Sequence, residues 1–555
     1  MTSQRLLTTY VAVGLLLLAM AACSDDPKPE PTPEPDLNYV GKAVGNFTAD
    51  EWYPGGRLGT TDNVTAGCYE DETPAVDEMG LADRFNLGET FFERNYTINT
   101  KPFFGLGPVS VRKSCLDCHP GYGHGRRQTH YTAGYGNGYL LAVYHPVGGP
   151  NSNDGPYITE ITSSTQTQAV HPFLPPVDAD KIHIEWKTVT AMESGLPMQF
   201  PDGERYELIY PEVTVPQSAF HTKPIPSNYA VRLESTLGII GTGLLDAIPD
   251  EAIREQYRRE AQSPHVELNP DMWDRAANDF APTAYKVREG HRMVKRFNYS
   301  LSRASVQEDE AMWDIANISR PDRPYLNSTE AWAVAMSETP SVIAAIKANP
   351  ASPYYADGTD AGIARAVRTL LSPKTNQFKN DIHNFEVETN EDHYHAFMVW
   401  HRGLSIPRAR NLNDKRVQRG KDVFMQLGCA NCHRPQWKTG NDDNYYRPPI
   451  LKGKQLPRYP NQTIYPYTDL VQHRLHMIND VHGSWCRTTP LWGRGLSQVN
   501  TGAEDRLHDC RARNEVEAIM WHAYSKQSDA YYAAEKFYKL PKEDRDAVVK
   551  FLRSI

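Results

Sequence analysis

The sequence predicts a mainly α fold in two helical units, the first interrupted by a long insertion that holds a small antiparallel β section. Three observations predict it. Apolar residues recur at helical spacing near both ends of the folded region. Between residues 182 and 215 the period switches to two, as in a strand. One Cys/His pentapeptide occurs twice, far apart, each time behind a predicted helix.

With 555 residues, the chain is long enough for two to four domains. At 40% hydrophobic and 23% charged residues it reads as globular. A net charge of -9 leaves no basic footprint for nucleic acid. Past residue 23 there is no apolar run long enough to cross a bilayer.

At the front, Arg5 precedes an apolar stretch from Val11 to Met20, then Ala21, Ala22 and Cys23. A charged start, a short apolar run and small residues make a secretory signal peptide over 1–22. The following Cys23 resembles the lipidated cysteine of bacterial lipoproteins, with Met20 where that pattern usually has Leu. Residues 23–38 are then a tether, in which Pro27, Pro29, Pro31, Pro33 and Pro35 alternate with charge. Such a segment favours extended polyproline geometry of about 3.1 Å per residue. The expectation is a protein anchored by a lipid in a bacterial cell envelope, facing the periplasm or the outer membrane.

Folding is expected to begin near Tyr39. Residues 80–95 suit a helix with Phe85, Gly88 and Phe92 on one face, and a Gly-rich, aromatic loop region follows to about Gly155. Ile182, Ile184 and Trp186 alternate with polar residues, as do Tyr206, Leu208 and Tyr210, with Pro201-Asp202-Gly203 as the turn between. Helices resume at Pro249 to Ala261, Thr329 to Met336, Ser341 to Ala348, Gly362 to Leu371 and Asp392 to Leu404. A helix over Lys415 to Leu427 leads into the second pentapeptide. In the last segment, Val548, Phe551, Leu552 and Ile555 form an apolar stripe behind Pro541. The first unit thus spans 39–406, with its insertion at about 150–380, and the second spans 407–555.

The pentapeptides are Cys115-Leu116-Asp117-Cys118-His119 and Cys429-Ala430-Asn431-Cys432-His433. Each is C-x-x-C-H, the attachment signature of c-type haem. Two thiols three positions apart reach the two vinyl groups of one porphyrin, and the adjacent imidazole binds the iron. Random placement predicts roughly 0.004 such pentapeptides in a chain of this composition. Zinc, the main competitor, would want two Cys pairs converging on one site and no His after both. The predicted cofactors are therefore two covalent haem c groups, with Cys115, Cys118, Cys429 and Cys432 attached and His119 and His433 as axial ligands. Export fits, because haem c is attached outside the cytoplasmic membrane. Near the first motif, either His124 or His130, or neither, is the second ligand.

Gly420 and Phe424 ahead of Cys429, with the Phe551 helix at the end, resemble cytochrome c. There a Gly on the first helix lets the last helix approach and stack an aromatic ring. Gly88 and Phe92 repeat the pair ahead of Cys115, with the segment Phe397 to Leu404 as the closing helix. Further stretches carry a wider resemblance: Gly105-Leu106-Gly107-Pro108, Gly241-Thr242-Gly243, "GCANCHRPQWKTG" at 428–440, "YTDL" at 467–470, "RTTPLWGRG" at 487–495 and "LHDCRARNEVEAIMWH" at 507–522. Together they resemble the bacterial dihaem oxidoreductases often labelled thiol oxidoreductase, relatives of dihaem cytochrome c peroxidases. The resemblance covers roughly residues 80–555 and is strongest at the C-terminal end. It implies one more ligand: in that family a His is followed fourteen positions later by the distal ligand, and His508 is so followed by His522. Where the relatives commonly have Met there, His implies a lower potential.

Cys486 and Cys510 flank the C-terminal motif region and, in an oxidising compartment, suggest a disulfide, with a redox-active thiol pair as the alternative. Cys68 is left over. The family resemblance implies an oxidoreductase that passes electrons between a substrate at one haem and a redox partner at the other, in a peroxidase-like manner. An electron-transfer cytochrome without a substrate, and a haem protein serving iron acquisition, are the other two readings. No catalytic acid or base can be named from the sequence.

Overall fold

Helix α1 (Ala82–Glu93) buries Phe85, Gly88, Phe91 and Phe92. It crosses α2 (Glu391–Gly403), whose start is capped by Asn390 accepting from the His393 amide. The crossing is close because residue 88 has no side chain: a Cβ there would lie 2.1 Å from the Ala396 carbonyl oxygen and 2.6 Å from Trp400 Cβ. The ring of Phe92 then packs against Trp400, tilted by 32° at 4.3 Å between centroids.

The same device recurs downstream. Helix α3 (Lys415–Leu427) starts on the Asp414 cap and ends at Gly428, whose φ of +91° suits only glycine well. Against it lies α4 (Lys542–Leu552), which Pro541 precedes at the cap position. A Cβ on Gly420 would sit 1.9 Å from the Ala547 carbonyl oxygen and 2.7 Å from Phe551 Cβ, and Phe424 meets Phe551 at 5.4 Å. Ala396 and Trp400 therefore stand to Gly88 as Ala547 and Phe551 stand to Gly420.

Between the two crossings the fold departs from a mainly α expectation. It is mixed α/β, 32% helix with many short two-stranded sheets. Eight such sheets occur among the described residues. The chain order is β1 (Tyr139–Tyr144), β2 (His183–Thr188), β3 (Ile209–Thr214) and β4 (Ala230–Ser235). Strands β2 and β3 pair antiparallel with His183 opposite Thr214, as the alternation suggested. Strands β1 and β4 pair antiparallel with Tyr139 opposite Ser235. The first of these fell in a stretch expected to be loop: its six residues are nearly all buried and show no alternation. The helices Glu330–Glu338, Pro340–Lys347 and Asp360–Leu371 bury Trp332, Val342, Ile346, Ile363 and Val367 in a satellite core.

The computed structural model describes residues 37–96, 105–132, 136–147, 155–308, 310–377, 386–443 and 445–555. The leader at 1–22, Cys23 and the 23–36 part of the tether lie outside the described residues. Tyr39–Ile555 forms one compact unit. Among the described residues no helix is long and apolar enough to cross a membrane.

Arg402, at the end of α2, ties three distant stretches together. Its guanidinium is fully buried, donates to Asp246 Oδ2 at 2.7 Å and to Asp442, and reaches the Pro457 carbonyl at 2.7 Å. Two changes probe this framework. Gly420→Ala should force α3 and α4 apart and cost about 1–3 kcal/mol in denaturant-induced unfolding. Arg402→Leu leaves two buried carboxylates without their partner and should cost about 3–5 kcal/mol in the same measurement.

Candidate functional site

The first pentapeptide forms a tight turn: the amides of Cys118 and His119 both donate to the Cys115 carbonyl, at 3.0 and 2.8 Å. The imidazole of His119 is then held from behind. Its Nδ1 lies 2.8 Å from the Leu237 carbonyl, which can only accept, so Nδ1 carries the proton. Burial pushes its pKa down to about 4, so the ring is neutral and Nε2 keeps a free lone pair. Phe92 flanks it at 6.2 Å. Cys118 and His119 line a cavity together with Leu140, Ile239, Phe297 and His401.

The second pentapeptide begins where Gly428 ends α3, and its His433 amide donates to the Cys429 carbonyl at 2.9 Å. Nδ1 of His433 faces the Tyr467 carbonyl at 3.1 Å, burial lowers its pKa to about 4, and Phe424 flanks the ring at 6.4 Å. Cys429, Cys432 and His433 line a second cavity.

His522 lies on that same cavity. It caps the helix Glu515–Trp521, whose start is fixed by Asn514 accepting from the Glu517 amide. Its Nδ1 donates to the Ala518 carbonyl at 2.6 Å, and burial lowers its pKa, which again leaves Nε2 free. His508, fourteen residues earlier, is fully buried and ion-paired with Asp480 at 2.7 Å. Burial opposes its charge, but Asp480 and Asp509 outweigh that and raise it well above the usual histidine range.

The structure treats the other expected residues differently. His124 lines the first cavity, yet its ring nitrogens are taken: Nδ1 lies 2.9 Å from the Gly125 carbonyl, and Nε2 lies 2.8 Å from the Leu507 carbonyl and 3.2 Å from the Tyr299 hydroxyl. His130 is exposed beside Thr129, at 3.0 Å, and is not among the residues lining either cavity. The expected Cys486–Cys510 disulfide is also corrected, because both thiols are free. Cys486 Sγ faces His508 Nδ1 at 3.9 Å, while Cys510, in a left-handed turn with φ of 65°, turns its thiol to Ser235 Oγ at 3.3 Å. The leftover Cys68 is buried against Asn500, and burial pushes its thiol up to about 11.

One residue was missed. His401, the neighbour of Trp400 on α2, lines the first cavity, and its Nδ1 is buried without a hydrogen-bond partner. Burial, then the nearby His119, push its pKa down to about 3. Its counterpart in the second crossing is Leu552, which lines the second cavity. Aligning Trp400 with Phe551 would have exposed this polar-for-apolar difference.

Thiols beside a neutral imidazole on the wall of a largely apolar cavity, both Cys429 and Cys432 in the second site and Cys118 in the first, are a donor set that suits haem. Both pentapeptides fit that group, since each His has one nitrogen engaged from behind and the other directed to open space. Residues 376–555 match the family described as "Di-haem oxidoreductase, putative peroxidase", so the C-terminal third of the chain is similar to di-haem oxidoreductases. That match includes the second pentapeptide and His522 but not the first pentapeptide. Among curated proteins, none matches this chain.

Proposed function

We propose that the chain carries two covalently attached c-type haems, in two cytochrome c-like units, and acts as a peroxidase-like dihaem oxidoreductase. One haem is held by Cys115, Cys118 and His119, the other by Cys429, Cys432 and His433. The observation that carries this reading is the repetition of one arrangement. A glycine-permitted helix crossing, an aromatic ring, two thiols and an imidazole with its Nδ1 proton spent on a backbone carbonyl occur twice. Haem iron supplies the one-electron chemistry.

The protein's own groups divide the work. In the second site His522 lines the same cavity as His433, so both imidazoles would hold a bound haem's iron, and that haem would supply one-electron storage. In the first site His124 is committed to other partners, so His401 is the available imidazole. Being neutral, it takes up a proton from a bound substrate and returns it to the product. Electrons then pass between substrate at the first site and a redox partner protein or small donor at the second. The leader and Cys23 support a lipid-anchored location in the cell envelope. His401 also favours a second reading: if it binds the iron, both haems are saturated and the protein is an electron-transfer cytochrome.

Haem staining after denaturing electrophoresis, with the pyridine haemochrome, should report two haems per chain. The Cys429→Ser/Cys432→Ser variant should report one, and an unstained wild-type band would falsify the proposal. His522→Ala should convert one low-spin ferric EPR signal to high spin. His401→Leu should lower peroxide-dependent turnover by about 10²–10⁴-fold with the cyanide-binding spectrum unchanged. A low-spin signal lost in His401→Leu would instead make the chain a carrier.

A further inference from the structure

The two cavities share a wall. Tyr299, Arg487, Thr489 and Arg494 line both of them. Two of these four are arginines, and neither has a carboxylate partner among the described residues.

Arg487 ends the strand Trp485–Arg487 and is 3% exposed. Its Nε donates to the Asn298 carbonyl at 3.2 Å, but Nη1 is buried with no hydrogen-bond partner. Arg494 follows Gly493, whose φ of +68° turns the chain inward. Its backbone carbonyl accepts from Arg506 at 3.2 Å, while its guanidinium makes no hydrogen bond or ion pair within the described residues. Neighbouring arginines are treated otherwise: Arg506 pairs with Glu515 at 3.0 Å and Arg511 with Asp509 at 2.7 Å. Burial depresses both wall arginines, Arg487 to about 10, yet both stay charged near neutral pH.

A buried guanidinium without an anion is costly, and one removed partner in such a pair is worth several kcal/mol. Arg487 is buried and Arg494 half-buried, and the two facing the same space call for anions that the protein does not supply. The planar fork of arginine matches a carboxylate with two parallel hydrogen bonds. A haem fixed through its vinyl edge to a Cys pair presents two propionate carboxylates at the opposite edge. Each cavity would bring such a pair of carboxylates.

We propose that Arg487 and Arg494, with the Thr489 hydroxyl, form one carboxylate clamp shared by the propionates of both haems. This rests on the two-haem reading above. Sharing has a consequence that separate clamps would lack: removing one arginine acts on both haems at once.

The test uses the full-length haem-loaded protein. Propionate bending bands are recorded by resonance Raman spectroscopy in the half-reduced and fully reduced states, which distinguishes the two haems. In Arg494→Gln and Arg487→Gln the bands of both haems should shift to lower frequency, and both midpoint potentials should fall. Should a glutamine variant fail to fold, Arg494→Lys, which keeps the charge but not the fork, must still move the bands of both haems. Bands that stay put, or that shift for one haem only, overturn the shared clamp. The haemochrome separates the two failures: a wild type with fewer than two haems overturns the underlying reading, whereas unshifted bands in a two-haem variant overturn the clamp alone.

Discussion

Two pairs of helices approach more closely than side chains allow, and the rest of the molecule is arranged around that approach. At Gly88 and at Gly420 the missing Cβ lets a facing carbonyl come within about 2 Å of where a methyl would stand. The aromatic residue one turn later then has a ring to pack on, and the loop that follows is delivered with its thiols and imidazole against a cavity. Local sequence, tertiary packing and chemistry are linked at two single atoms. Neither crossing can be loosened without moving a histidine.

The difference between the crossings is as informative as their likeness. In the second, the residue after the packed ring is Leu552; in the first it is His401. An apolar residue there offers nothing to a bound group, whereas an imidazole can bind it or exchange a proton with it. His401 has no hydrogen bond at Nδ1 and lines the cavity, so it is available to a bound group. His522 on the other cavity has its Nδ1 satisfied. The two sites are thus built on one plan and specialised by single residues.

Much of this was legible in the amino acids. The helix over Lys415–Leu427 is found with those bounds, because a capping Asp, a clear apolar stripe and a terminal Gly all agree there. The β2–β3 hairpin followed from alternation and a Pro-Asp-Gly turn. Strand β1 was hidden because a strand buried on both faces has no alternation to read. The disulfide failed for another reason: nearness in sequence and an oxidising compartment do not orient two Cβ atoms. His124 and His130 were suggested by nearness to the motif, yet hydrogen bonding in one case and exposure in the other decide their roles. The wall arginines carry no signature at all. Only the lack of a nearby carboxylate marks them, and that is a property of three-dimensional neighbours.

The spacing of the two crossings along the chain bears on how the protein assembles. Ala547 lies about 130 residues beyond Gly420, but Ala396 lies about 300 beyond Gly88, and the longer loop costs about 0.8 kcal/mol more to close. The insertion must also be accommodated before α2 can dock. Although the first motif leaves the ribosome early, its supporting pair of helices is the slower to meet. The part made last is therefore the part favoured to fold first, and the N-terminal pentapeptide stays uncovered by its helices for longer than its twin.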